Sequence, residues 1–442
     1  MLIVGNGLVI TLDAESKVIK DGAVVIEDGN IREVGDTAGI KERYPEAEFI
    51  DAQGKVIMPG MINAHMHLYS TFARGMALKD SPPRTFMQIL ERLWWKLDKT
   101  LEQEDVYISA MVPIIDCIRC GVTTILDHHA SPMSVPGSLD LCAKAVLEAG
   151  IRASLAYEVS DRDGLEIRDQ GIEENVRFIK RCQEEKSPFL HGMFGLHAQV
   201  TLSDETLRKC VEAAEGLDVG FHIHVAEGPE DVEDALNKSG MRVVERLDSF
   251  GILGPKTLAI HCVHINEAEM EILKARDTNV VHNPESNMGN AVGVAPVLEM
   301  MEKGVRVGLG TDGYTADMFE SVKVANMLHK LAQKNPSAAW AEVPKMIFEN
   351  NREIVRRLFG IKVGALEPGA AGDVIIVDYD PWTPLTSDNY YSHVLFGMSG
   401  GLVDTTIVAG RVLMRNRQLT TVDSERIHAR SRELAGRVWI RF

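Results

Sequence analysis

Eight short apolar runs, each stopped by a His, Glu or Asp, constrain this chain more than any other feature. They end near His65, His128, Glu158, His197, His224, His261, His282 and Asp312, at intervals of 21 to 63 residues. Helix-like stretches lie between many of them, among them Leu101 to Arg119, Leu139 to Ala149, Asp204 to Ala214 and Glu267 to Ala275. In the second of these, Leu139, Cys142, Val146 and Ala149 share one face by i, i+3/i+4 spacing. Thr100 with Gln103 is placed to cap the first. Strands alternating with helices over about 300 residues match a (β/α)8 barrel, whose active sites form at the C-terminal ends of the strands. A doubly wound sheet would not need so many ligand-type residues at its strand ends.

The two chain ends have a different texture. LIVGNGLVITL, GAVVIEDGNIREVG and KVIMPG are β-branched runs broken by Asp-Gly and Gly-Asn turns, and the pattern returns in GDVIIVDYD and DTTIVAGRVLMRN. This predicts a small discontinuous β-sandwich domain from residues 1–57 and 365–442, flanking a barrel at 58–364. With 45% hydrophobic and 25% charged residues the chain has the composition of a globular protein with a sizeable core. Its 47 basic and 64 acidic residues leave a net charge of −17, which argues against a nucleic-acid polymer or an anionic membrane surface as partner. Six cysteines are too few for a disulfide scaffold and point to a reducing compartment. The N-terminus lacks a signal-peptide pattern, and the longest uncharged stretches are interrupted by His, Gly or Ser, so the expected location is the cytoplasm.

His65 and His67 end the first apolar run. Residues i and i+2 of a strand point to one side, so both imidazoles can face a single point in the barrel mouth. Alone, such a pair could as well be two surface histidines. FHIHVAE, however, places His222 and His224 at another strand end, His261 closes LAIH, and Asp312 closes VGLGTD. Three imidazoles and a carboxylate make a metal shell with a position left for water. Of the pair in FHIHVAE, His224 lies nearer the strand terminus and leaves Glu227 on the following loop. His222 is expected in a lower layer of the barrel. Cys117 and Cys120 form a CxxC on a predicted helix without a second pair, which is not a zinc site.

VIMPGMINAHMHL, HVAE, HNPESN, GLGTDG, LEPGAAGDVIIVD and TIVAGRVL together resemble the amidohydrolase superfamily, in its branch of cytosine, guanine and S-adenosylhomocysteine deaminases and triazine hydrolases. The resemblance covers essentially the whole chain. WWKLDKTL, DHHASP, SNMGN, ADMFE and FGMSGG look closer still to the SsnA aminohydrolases, which are associated with bacterial purine-degradation gene clusters. The resemblance implies His65, His67, His224 and Asp312 as ligands of one divalent ion, Zn²⁺ or Fe²⁺, with Glu227 and His261 as the proton-handling pair. Binuclear relatives place a carboxylated lysine at the end of the fourth strand, where this chain has His197 in GLHAQ, so a single metal is expected. The ion would activate water for attack on an sp² carbon of an N-heterocycle. Asp312 would accept the water's proton, Glu227 would protonate a ring nitrogen, and His261 would hold the nucleophile or steady the oxyanion.

Collapse then expels ammonia or opens the ring, and the same residues serve either outcome. A purine-related aminohydrolase is the primary expectation, hydrolytic ring opening of a cyclic amide or amidine the alternative. A non-catalytic scaffold on this fold would be expected to have lost ligands, and none is missing. His197, His129 and Glu158 are the candidate substrate contacts at the second to fourth strand ends. His128 and His129 are adjacent and cannot both face inward. His282 and Asn287 either shape the pocket or bond backbone, Arg74 is expected in an ion pair, and Trp94 and Trp95 are expected to pack in the core. Relatives carry a Tyr three residues past the fourth-strand His and Ser or Asn after TDG. Here HAQV and TDGYTADMF stand instead, so the substrate-reading wall is altered. A homo-oligomer is a family expectation.

Overall fold

The computed structural model describes all 442 residues. Its centre is a ring of parallel strands: Met61–Met66, Val122–Asp127, Arg152–Leu155, a fourth in two pieces (Leu190–Gly192 and Phe194–Ala198), Phe221–Val225, Leu258–His261, Asn279–His282 and Arg306–Leu309. Two hydrogen-bonded runs make up this ring. A bridge from Val159 to Leu196 joins them on one side and one from Met66 to Asp312 on the other. At the second seam the backbone N–H groups of Thr311 and Asp312 both donate to the His65 carbonyl, each at 3.0 Å. A Cβ at Gly310 would lie 2.8 Å from the His65 nitrogen, which is why GLGTD needs its second glycine.

Helices follow the strands as the periodicity requires. The Ser138–Ala149 helix buries Leu139, Cys142, Val146 and Ala149. Asp204–Ala214 starts with the Ser203 side chain accepting from the Thr206 N–H, and Glu267–Ala275 with an Asn266/Glu269 capping box. The expected Thr100/Gln103 cap is not formed. The helix runs Gln103–Arg119 from a Glu102/Asp105 capping box, because the Thr100 hydroxyl is turned back to the Leu97 carbonyl at 2.6 Å.

The two chain ends meet where Val374–Val377 pairs antiparallel with Val56–Pro59. Their strands form one nine-stranded sheet rather than two separate ones. Residues from both ends, including Val4, Val24, Ile57, Val374 and Ile407, share one core beneath it, so burial on one face is achieved by a single continuous sheet. The last helix, Ser424–Arg441, leaves this sheet and lies along the Gln103–Arg119 helix of the barrel, where Arg441 bonds the Thr100 carbonyl at 2.9 Å. No helix is long and apolar enough to cross a membrane.

Candidate metal centre and active site

His65, His67, His224, His261 and Asp312 converge at the C-terminal mouth of the ring. The Nε2 atoms of His67 and His224 are 3.2 Å apart. Asp312 Oδ1 lies 3.1 Å from His67 Nε2 and 3.7 Å from His65 Nε2. Nδ1 of His67 donates to the His128 carbonyl at 2.6 Å and Nδ1 of His224 to the His197 carbonyl at 2.9 Å. Each bond fixes its ring and directs Nε2 inward, as metal-binding histidines require. Two inward lone pairs that close need a cation or a proton near them. His67 registers the same demand: burial would lower its imidazole, but the Asp312 carboxylate outweighs that and lifts it to about 10. His65 Nε2 is buried without a hydrogen-bond partner. Donors 3.1 to 3.7 Å apart suit an ion with bonds of about 2.0–2.2 Å. The donor set therefore fits a divalent metal.

His65 is turned by its neighbour. Its Nδ1 meets His222 Nε2 at 2.8 Å, and His222 in turn stacks on His128 with ring centroids 4.3 Å apart. His222 does lie a layer below the ligands, but in contact with one of them.

His261 and Asp312 both have left-handed backbone, at φ 71° and 58°. Such conformations cost a non-glycine residue roughly 1–3 kcal/mol and persist where the surroundings enforce them. Here they swing both side chains over the metal cluster. The Nδ1–H of His261 goes to Asn287 Oδ1 at 2.8 Å, so its Nε2 is an acceptor, 3.3 Å from Glu227 Oε2 and 3.6 Å from Asp312 Oδ2. Burial and the nearby Asp312 carboxylate push the Glu227 carboxyl well above its ordinary value. Asp312 behaves oppositely: burial opposes ionisation, but the neighbouring His65 and His67 imidazoles hold it well below the usual range. Two carboxyls with such separated affinities are suited to act as an acid and a base.

A pocket opens over this cluster, lined on its inner side by His67, His197, His224, Glu227 and Asp312. Phe86, Leu90, Trp94, Trp95 and Tyr314 make its outer wall. Both tryptophans thus line the cavity, and Trp94 also packs against the main hydrophobic core as expected. Trp94 ends a π-helical turn, Leu90–Trp94, a local widening common at functional sites, and Trp95 follows it directly.

Among the substrate candidates, His197 lines the cavity. Its Nδ1 donates to Thr201 Oγ1 at 2.8 Å and burial pulls its imidazole well down, leaving a neutral ring with Nε2 as an acceptor. Glu158 lies beneath the cavity wall, 3.3 Å from His67 Nδ1, with burial raising it to about 7. His129 points away from the mouth, between Ser131 Oγ at 2.9 Å and Cys142 Sγ at 3.7 Å. Alternation along the second strand turns His128 inward instead. His282 bonds His329 at 3.1 Å outside the cavity, and the exposed Arg74 pairs with Asp116.

Ser286 and Asn290 were not singled out from the sequence. Ser286 Oγ donates to Asp312 Oδ2 at 2.5 Å, and Asn290 Nδ2 reaches Glu227 Oε1 at 3.4 Å. Both sit with Asn287 on the short helix Pro284–Gly289 and its C-cap, so a helical i, i+1, i+4 reading of SNMGN was the available signal.

A model of the amidohydrolase family matches residues 56–413. The chain belongs to that family. A shorter model, of an imidazolonepropionase-like composite domain of bacteria, matches residues 22–47. This amidohydrolase is similar to a 5'-deoxyadenosine deaminase of Methanosarcina mazei, with 36% identity across 96% of this chain and 95% of the relative. A 5-methylthioadenosine/S-adenosylhomocysteine deaminase of Desulforudis audaxviator is 33% identical, across 94% of this chain and 95% of its own. A zinc-bound adenosine deaminase from Xanthomonas campestris superposes with a TM-score of 0.88 at 25% identity, covering 99% of this chain and 98% of that one.

Proposed function

We propose that this amidohydrolase is a metal-dependent aminohydrolase that removes an exocyclic amine from a purine ring as ammonia. The observation that carries the reading is a pair of buried carboxyls on either side of His261 at a three-imidazole site, Glu227 3.3 Å and Asp312 3.6 Å from its Nε2, the first pushed up by burial and the second held down by its neighbours. His65, His67, His224 and Asp312 would hold the metal, Zn²⁺ or Fe²⁺, which when bound would supply a nucleophile by lowering the pKa of water from 15.7 toward about 7. His261 Nε2 and Asp312 Oδ2, 3.6 Å apart, are the acceptors for the proton this water loses. Glu227 delivers its proton to the ring nitrogen beside the attacked carbon. His197 Nε2 accepts an N–H from the heterocycle. The amine leaves once a proton reaches it, and Glu227 and His261 are the groups in reach. Relatives at 33–36% identity over nearly the full chain are named for deamination of adenine nucleosides, which supports a purine as the ring.

The same reading divides the chain into a barrel at 58–364 and a sheet domain from 1–57 and 365–442, and places the enzyme in the cytoplasm as a homo-oligomer. The test is ammonia release from purines and their nucleosides by protein loaded with Zn²⁺ or Fe²⁺. Metal removal should abolish turnover. Glu227→Gln should keep its metal and lose about 10²- to 10⁴-fold in kcat, the usual worth of a general acid. Loss of ultraviolet chromophore without ammonia would reassign the reaction to ring opening.

A further inference from the structure

One short helix holds three of the groups that move protons or bind metal. From Pro284–Gly289 and its C-cap, Ser286 donates to Asp312, Asn287 receives the His261 Nδ1–H, and Asn290 reaches Glu227. The first two bonds explain how Asp312 and His261 are aimed. The third raises a separate question, because Glu227 has two chemically equivalent oxygens and only one can carry the acid proton.

We infer that Asn290 is a positioning residue that fixes Glu227 Oε1 as the carbonyl oxygen and Oε2 as the oxygen bearing the proton. Asn290 Nδ2 has two N–H groups, one for Ser286 Oγ at 3.2 Å and one for Glu227 Oε1 at 3.4 Å. An N–H donor requires an acceptor opposite it, and in a neutral carboxylic acid the stronger acceptor is the carbonyl oxygen. The proton is thereby assigned to Oε2, which faces His261 Nε2 at 3.3 Å and the space above the metal ligands. When Oε2–H gives its proton to a ring nitrogen, the O–H bond breaks, an N–H bond forms, and the electron pair stays on the carboxylate. The Asn290 N–H then becomes a charge-assisted bond, stronger than the one it made to the neutral acid. Asn290 therefore favours the state that follows proton transfer, and the present 3.4 Å leaves room for that bond to tighten.

This inference rests on Glu227 being the acid of the proposed reaction, and its test has one arm independent of turnover. Infrared difference spectra of the metal-loaded protein, with Glu227→Gln subtracted, isolate the carboxylic acid C=O stretch of Glu227. In Asn290→Leu that band should move to higher frequency, as a carbonyl does on losing a donor, and Asn290→Gln should return it toward the wild-type position. An unchanged band in Asn290→Leu, or no acid band in the wild type, overturns the inference. On a substrate that the wild type deaminates, Asn290→Leu should lower kcat about tenfold with KM changed less than twofold, the effect of one lost bond to a charged group. Equal losses in Asn290→Leu and Asn290→Gln would mean a purely steric role and also overturn it. If the wild type deaminates nothing, the functional reading fails while the infrared arm still decides the role of Asn290. Metal content and thermal unfolding of each variant separate misfolding from either result.

Discussion

At the scale of single residues, the convergence of His65, His67, His224 and Asp312 was legible because strand geometry translates directly into sequence: i and i+2 share a side, and strand ends face the mouth. What that rule cannot supply is parity in a strand whose start is uncertain. His129 was placed inward and His128 is the one that turns in, a one-residue shift that sends an entire side chain to the other face. Nor does it foresee contacts between layers. His222 lay a layer down as expected, yet its Nε2 is 2.8 Å from His65 Nδ1, so it sets the rotation of a ligand. Replacing such an orienting partner lowers metal affinity about 10- to 100-fold. His222→Leu should therefore lose metal to a chelator at correspondingly lower concentration, with kcat recovering in excess metal. Unchanged chelator competition would show that His65 is oriented by its backbone alone.

At the scale of elements, the helices that were anticipated are the long amphipathic ones, whose buried faces recur along the chain. The short Pro284–Gly289 helix was not, since six residues carry too little periodicity to announce themselves. Its functional side chains looked like a Pro-containing turn. The helix also carries a buried charge problem of its own. Glu285 accepts from Ser321 Oγ at 2.5 Å, and burial pushes its carboxyl up to about 7. A carboxyl whose native affinity for protons exceeds its unfolded value binds more protons folded than unfolded. Its stabilisation is complete below the ordinary pKa near 4.5 and is lost as pH rises through about 7. Glu285→Gln should accordingly flatten the decline of stability between pH 5 and pH 8, measured by urea unfolding at each pH. A decline as steep as in the wild type would assign it to other groups, such as Asp231, raised by burial to about 6.

At the scale of the whole molecule, the β-branched runs at both chain ends were legible as strands. The number of sheets was not legible, because both a sandwich and one continuous sheet bury the same alternating residues. Long-range polar pairing was equally invisible, and it is what ties the two parts together. Arg152 at the start of the third barrel strand is paired with Asp373, just before Val374–Val377, and each is about 1% exposed. The guanidinium also donates to the Pro188 carbonyl at 2.9 Å, while Asp373 Oδ1 accepts from the Ala409 N–H at 2.9 Å. A pair this dry gains little over a well-packed apolar pair, but losing one member strands the other charge. Arg152→Met should thus cost about 3–5 kcal/mol in urea unfolding, the range for an abandoned buried partner. Asp373→Asn strands the Arg152 guanidinium and should cost a similar amount, even though the amide oxygen can still accept from Ala409. Because the pair lies at the opposite end of the strands from His65 and Asp312, metal content and kcat of folded Arg152→Met should match the wild type. A loss of under 1 kcal/mol would mean that water reaches Asp373, and a fall in kcat without unfolding would mean that the sheet domain transmits strain to the mouth of the barrel.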